Sequence, residues 1–115
     1  MSNRGTWAED AAAAFLVKHG LKLLERNYRC RFGEIDLVLR DAGTLVFVEV
    51  RYRRSHTFGG AGESITTNKR RKLLRAARHY MAAHSEFPAC RFDAVLLNGD
   101  TPEVDWVVNA FGEWA

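Results

Sequence analysis

A chain of 115 residues, 47% hydrophobic and 27% charged, suffices for one domain with a buried core and is too short for two. Its net charge of +3 is too small to name a partner by itself, so any nucleic-acid argument must come from where the charges lie. Two cysteines outside any CxxC arrangement exclude a disulfide scaffold, and four histidines without HxxxH or HExxH spacing argue against zinc.

The opening stretch MSNRGTWAEDAAAAFLVKHG is alanine-rich, but Glu9 and Asp10 interrupt it and no apolar segment follows a basic start. It therefore reads as a helix, expected from Thr6 to His19, and not as a signal peptide. Thr6 and Glu9 have the spacing of a capping box, and Gly20 sits where the helix would stop. Residues 21–32 look extended, with Gly33 as a bend. EIDLVLRD alternates, which places Ile35, Leu37 and Leu39 on one face and Glu34, Asp36 and Val38 on the other. DAGT is a hairpin turn and LVFVEVRYR its partner strand. SHTFGGAGES, residues 55–64, is a glycine-rich loop. A second helix is expected from Thr67 to His84, with Leu73, Leu74, Ala77, Tyr80 and Met81 at helical spacing. CRFDAVLLN and EVDWVVNAF are two further strands around an NGD turn. The order α-β-β-β-α-β-β predicts a single α/β domain over residues 1–115, a mixed sheet flanked by helices. No apolar run is long enough to span a bilayer, so a soluble, cytoplasmic protein is expected, with Cys30 and Cys90 as free, partly buried thiols.

The segment TLVFVEVRYRR raises a question of charge. Glu49 stands in an otherwise apolar strand, where a carboxylate is expensive unless paired or coordinating. If Ala42 and Gly43 form a two-residue loop, Asp41 pairs with Thr44, Asp36 faces Glu49, and Glu34 faces Arg51. Two opposed carboxylates repel and lose hydration unless a cation lies between them or one keeps a proton. Mg²⁺ or Mn²⁺ suits such a pair, being held by one or two carboxylates with water and a substrate phosphate. The alternative is that Glu49 simply pairs with Arg51 or Arg53.

NKRRK, residues 68–72, loads the start of the second helix with Lys69, Arg70, Arg71 and Lys72. Cations there oppose the helix dipole and make sense if an anion docks. Lys69 shares helical spacing with Leu73, Ala76 and Tyr80, so it should lean toward the sheet. Arg75 and Arg78 read as a solvated face. Arg51 to Arg54 (RYRR) adds charge beside the carboxylates, and an acidic centre rimmed by Arg53, Arg54 and the helix cations suits a phosphodiester.

GEIDLVLRDAGTLVFVEVRYR, then FGGAGESITTNKRRKL, then CRFDAVLL, resembles the YraN-like bacterial proteins of the PD-(D/E)XK nuclease superfamily, which includes archaeal Holliday junction resolvases. The resemblance covers nearly the whole chain. It implies a restriction-endonuclease-like core, with Asp36 and Glu49 as metal-binding acids, Glu9 as an acid that resolvase-like members add, and Lys69 as a polar helix residue facing the site. Asp93 would be structural, on the neighbouring strand. The usual lysine two places after the second acid is Arg51 here, and arginine cannot serve as a base.

The function expected is therefore a Mg²⁺- or Mn²⁺-dependent endonuclease on DNA in preference to RNA, linear or branched, as in repair or recombination. The Val50 carbonyl would be a further metal ligand, and Arg51 and Lys69 would stabilise developing charge. A non-catalytic nucleic-acid-binding module that kept the fold is the alternative. The last strand, with Trp106, Val107, Val108, Phe111 and Trp114, could instead be a sheet edge or homodimer surface, although core packing is the preferred reading for Val107.

Overall fold

The computed structural model describes residues 3–53, 66–84, 86–87, 89–98 and 103–111. Helix α1 (Asn3–Lys18) leads to strands β1 (Lys22–Cys30), β2 (Gly33–Asp41) and β3 (Thr44–Arg53), then helix α2 (Thr67–Ala83) and strands β4 (Ala89–Asn98) and β5 (Glu103–Phe111). The five strands form one sheet in the order β1-β2-β3-β4-β5. Only β3 and β4 run parallel, as the intervening helix requires; the remaining neighbours are antiparallel. This is the α/β architecture and element order expected from the sequence.

The two helices cover opposite faces. Ala12, Ala13 and Leu16 of α1 pack with Leu37, Leu39, Val46, Val48 and Val95. Leu73, Ala76, Ala77 and Tyr80 of α2 pack with Ile35, Val38, Leu45, Phe47, Phe92, Ala94 and Leu96. A strand buried on both faces explains why β3 reads as a nearly continuous apolar run. At the end of α1, Gly20 adopts φ +98°, which frees Leu21 N–H to donate to Leu16 C=O at 3.1 Å and Gly20 N–H to Val17 C=O at 3.0 Å. That pattern closes the helix and turns Leu21 back into the core beside Leu16.

Three expectations are corrected. Helix α1 begins at Asn3, so Thr6 lies inside it and does not cap it, and the capping-box role for Glu9 falls away. The alternation along β2 breaks at Asp36: Leu37 and Leu39 face α1 as a pair, but Ile35 joins Val38 on the α2 side. Val107 is 36% exposed on the edge strand, so it is not core. β5 is indeed a sheet edge, and Cys30 and Cys90 are half-buried and not joined in a disulfide. Among the described residues no helix is long and apolar enough to cross a membrane.

Both outer strands are kinked. β1 shifts register between Leu23 and Glu25. β5 shifts between its contacts to Ala94 and Phe92, with Asn109 at φ +56° in the displaced stretch. Asp93, fully buried, fills the gap this leaves. It accepts from Asn109 N–H at 3.0 Å, from Trp106 Nε1 at 2.9 Å and from Arg91 Nε at 3.1 Å, and Arg91 in turn donates to Asp41 at 3.0 Å. Asp93 is thus the structural residue the sequence reading expected, and it ties β5, β4 and the end of β2 together.

Candidate functional site

The two-residue turn at Ala42–Gly43 sets the β2–β3 register as expected, from Asp41↔Thr44 through Leu37↔Val48. The ladder then stops, one pair before Asp36 would oppose Glu49. In its place the Asp36 carboxylate accepts the Val50 N–H at 2.8 Å. A side chain has replaced the backbone partner, and this is where β2 departs from β3 and its alternation breaks. In an extended strand a residue's N–H and C=O point to the same side. The Val50 carbonyl is therefore turned toward the β2 side of β3, the side from which the Asp36 carboxylate reaches.

The two acids still meet. Burial, then the Glu49 carboxylate, push the Asp36 carboxyl up to about 7, reinforced by a hydrogen bond between the two side chains and by the charge of Glu9; the bond from Val50 N–H acts in the opposite direction. Near neutral pH the Asp36 carboxyl is therefore about half protonated. Glu49 is only 4% exposed, and it forms ion pairs with Lys69 Nζ at 2.6 Å and with Arg51 Nε at 3.2 Å. Lys69 thus leans onto the sheet as its helical spacing predicted, and the pairing of Glu49 with Arg51 also forms. Glu34 does not face Arg51: where β2 leaves β3 it pairs with Arg29 at 2.5 Å. Glu9 reaches across from α1, where it lies 3.7 Å from Arg26, and it touches the site only through its charge on Asp36.

α2 is held in place by Thr66, whose hydroxyl accepts the Lys69 N–H at 3.1 Å. Between this helix start and the open end of β2 lies a cavity of about 320 Å³ lined by Gly33, Glu34, Asp36, Glu49, Thr66, Asn68, Lys69, Lys72 and Leu73. Asp36, Glu49, Lys69 and Lys72 therefore share one opening. Arg70 and Arg71 are on α2 but do not line it, and Arg53 ends β3. Arg54 and the glycine-rich loop lie outside the described residues. The sequence assigned no site role to Thr66, Asn68 or Gly33, which read only as neighbours of the basic run and as a bend before β2.

The donor chemistry suits a hard cation: two carboxyls in contact, with Lys69 and Arg51 paired to Glu49, beside the Val50 carbonyl on the same edge of β3. Among the described residues no group of three or more His, Cys, Asp or Glu side chains gathers to hold a metal, so any cation here would rest on the two carboxyls with backbone oxygen, water or substrate completing its shell.

Residues 8–97 match the family described as "Uncharacterised protein family UPF0102". A UPF0102 protein of Nitrosomonas europaea is 58% identical over 113 residues, covering 96% of this chain and 95% of its own. One from Nitrosospira multiformis is 58% identical over 109 residues, covering 94% and 92%. A more distant one from Psychromonas ingrahamii is 45% identical over 112 residues, covering 97% and 92%. With matches spanning both helices and all but the last strand of the sheet, the chain belongs to the UPF0102 family.

Proposed function

We propose that the protein is a metal-dependent nuclease of the PD-(D/E)XK type acting on DNA. The observation that carries this reading is the meeting of Asp36 and Glu49 at the end of the β2–β3 ladder, with Lys69 on Glu49 and the pair open to a cavity floored by lysines. Mg²⁺ or Mn²⁺ would be held by Asp36, Glu49 and the Val50 carbonyl, and it would supply Lewis-acid activation of a phosphodiester. Lys69 and Lys72 hold the phosphate in the opening, and Arg51 and Lys69 place positive charge where negative charge grows. Arg51 acts only through charge, because its guanidinium does not give up a proton. Burial of Glu49 keeps bulk water from screening these interactions.

A specific observation favours the second reading, a nucleic-acid-binding module without turnover: Arg51 and Lys69 already pair with Glu49, so its charge is countered without a metal. Calorimetric titration of Mn²⁺ into the protein and into Asp36→Asn and Glu49→Gln separates the two. Saturable binding lost in both variants, together with metal-dependent cleavage of branched or single-stranded DNA, supports the nuclease. Absence of Mn²⁺ uptake with and without added oligonucleotide refutes it.

A further inference from the structure

Beyond the cavity, α2 continues with a cationic face of which Lys72 also lines the site. Its 17 residues include Lys69, Arg70, Arg71, Lys72, Arg75 and Arg78 and no acid. Arg71, Lys72, Arg75, Arg78 and His79 are all exposed. The turn between β1 and β2 leans against this face. Gly33, at φ +154°, lies against it: a Cβ there would meet the Cβ of Lys72 at 3.4 Å, an ordinary contact distance. Two turns further along α2, the Phe32 ring lies edge to face with the His79 imidazole at 6.0 Å, and His79 hydrogen-bonds the Tyr28 hydroxyl. The Arg31 guanidinium sits over the Phe32 ring, 4.8 Å from its centre. Lys72, Arg75 and His79 share one edge of the helix by their spacing. A strip of cations therefore runs from the cavity, past Gly33 and Lys72, to a step made of an aromatic ring, an imidazole and a guanidinium.

We propose that this strip binds an unpaired nucleic-acid strand, with Arg31, Phe32 and His79 forming a stacking platform for a base further along the strand from the phosphate held by Lys69 and Lys72. The proposal rests on the phosphodiester reading above and adds the substrate class. A duplex meets such a surface with phosphates alone, since its bases are stacked and their faces closed. An unpaired strand offers both a backbone for Lys72 and Arg75 and a base face for the ring and guanidinium. Arg31 is suited to this because a planar guanidinium stacks on a ring on one side and can receive a base on the other. Phe32, half-buried, is fixed by His79 and arrives without ordering cost.

Fluorescence anisotropy tests it with labelled oligothymidine and with a hairpin duplex of equal phosphate number, both in EDTA so that metal and cleavage play no part. Oligothymidine should bind more tightly than the duplex. Phe32→Leu, which keeps apolar bulk and loses the ring, should weaken oligothymidine binding about 5- to 150-fold with the salt dependence unchanged. Phe32→Trp should restore it. Arg75→Gln should lower the salt slope by about one on both probes. Circular dichroism melts establish that each variant is folded. Equal binding by Phe32→Leu and the parent, or equal losses on the two probes, overturns the platform. The two readings fail separately: Mn²⁺ uptake with no Phe32 effect removes only the platform. Phe32-dependent binding with no Mn²⁺ uptake removes only the nuclease.

Discussion

Replacing Asp36 with asparagine should stabilise the protein at pH 8. The Asp36 carboxyl is pushed from 3.8 up to about 7 by burial first and by Glu49 second. Its folded-state value is raised, so the sign follows directly: the group's contribution is fully present below about pH 4 and is lost as pH rises toward 7. Between those limits the native protein holds a proton that the unfolded chain has released, and stability falls by up to about 1.4 kcal/mol per pH unit. Over the whole window the loss is at most about 4 kcal/mol, and about 2–4 kcal/mol once partial contact with solvent through the cavity is allowed for. An asparagine carries no charge, still accepts the Val50 N–H through its oxygen, and donates to Glu49 through its nitrogen. Urea unfolding at pH 5 and pH 8 reads the effect. The parent should lose roughly 1–2 M in midpoint between the two, and the variant should lose much less from this source. Adding Mn²⁺ at pH 8 should narrow the gap by raising the parent alone. A variant no more stable than the parent at pH 8, or a parent with no fall relative to it, would refute the account of the carboxyl pair.

Two further outcomes follow from other parts of the molecule. Asp93→Ala leaves the buried donors of Arg91, Trp106 and Asn109 without their acceptor and should cost about 3–5 kcal/mol in a denaturant titration, with a red shift in tryptophan emission. Arg51→Lys puts a lysine two places after Glu49. Cleavage of single-stranded or branched DNA in Mn²⁺ should rise in that variant if the site turns over, and a pure binding module stays inert.

The register of the central hairpin was legible because a two-residue turn leaves a single pairing, and everything from Asp41↔Thr44 to Leu37↔Val48 obeys it. The lean of Lys69 was legible because helical spacing tied it to Leu73 and Tyr80, which are buried. What alternation could not reveal was that the Asp36 side chain would take a backbone donor of β3 and end the ladder. From that point Ile35 changes face and Glu34 finds Arg29 in place of Arg51. Thr6 misled because a helix start depends on the residues before it, and the chain was already helical at Asn3. The Arg91–Asp41 bond joins residues fifty positions apart, a contact that no local pattern carries.

The kinks in β1 and β5 bear on how the protein behaves among its own copies. An open sheet edge exposes a row of backbone donors and acceptors, and a straight one is a template on which another chain can crystallise as a further strand. Here both edges are bent by a register shift, and on β5 the bend is locked by the Asp93 carboxylate on Asn109 N–H. A bulge strengthens local twist and breaks the repeat that a docking strand must follow. A further strand laid on either edge would have to follow that bend, so fibrous stacking of sheets is disfavoured at both ends.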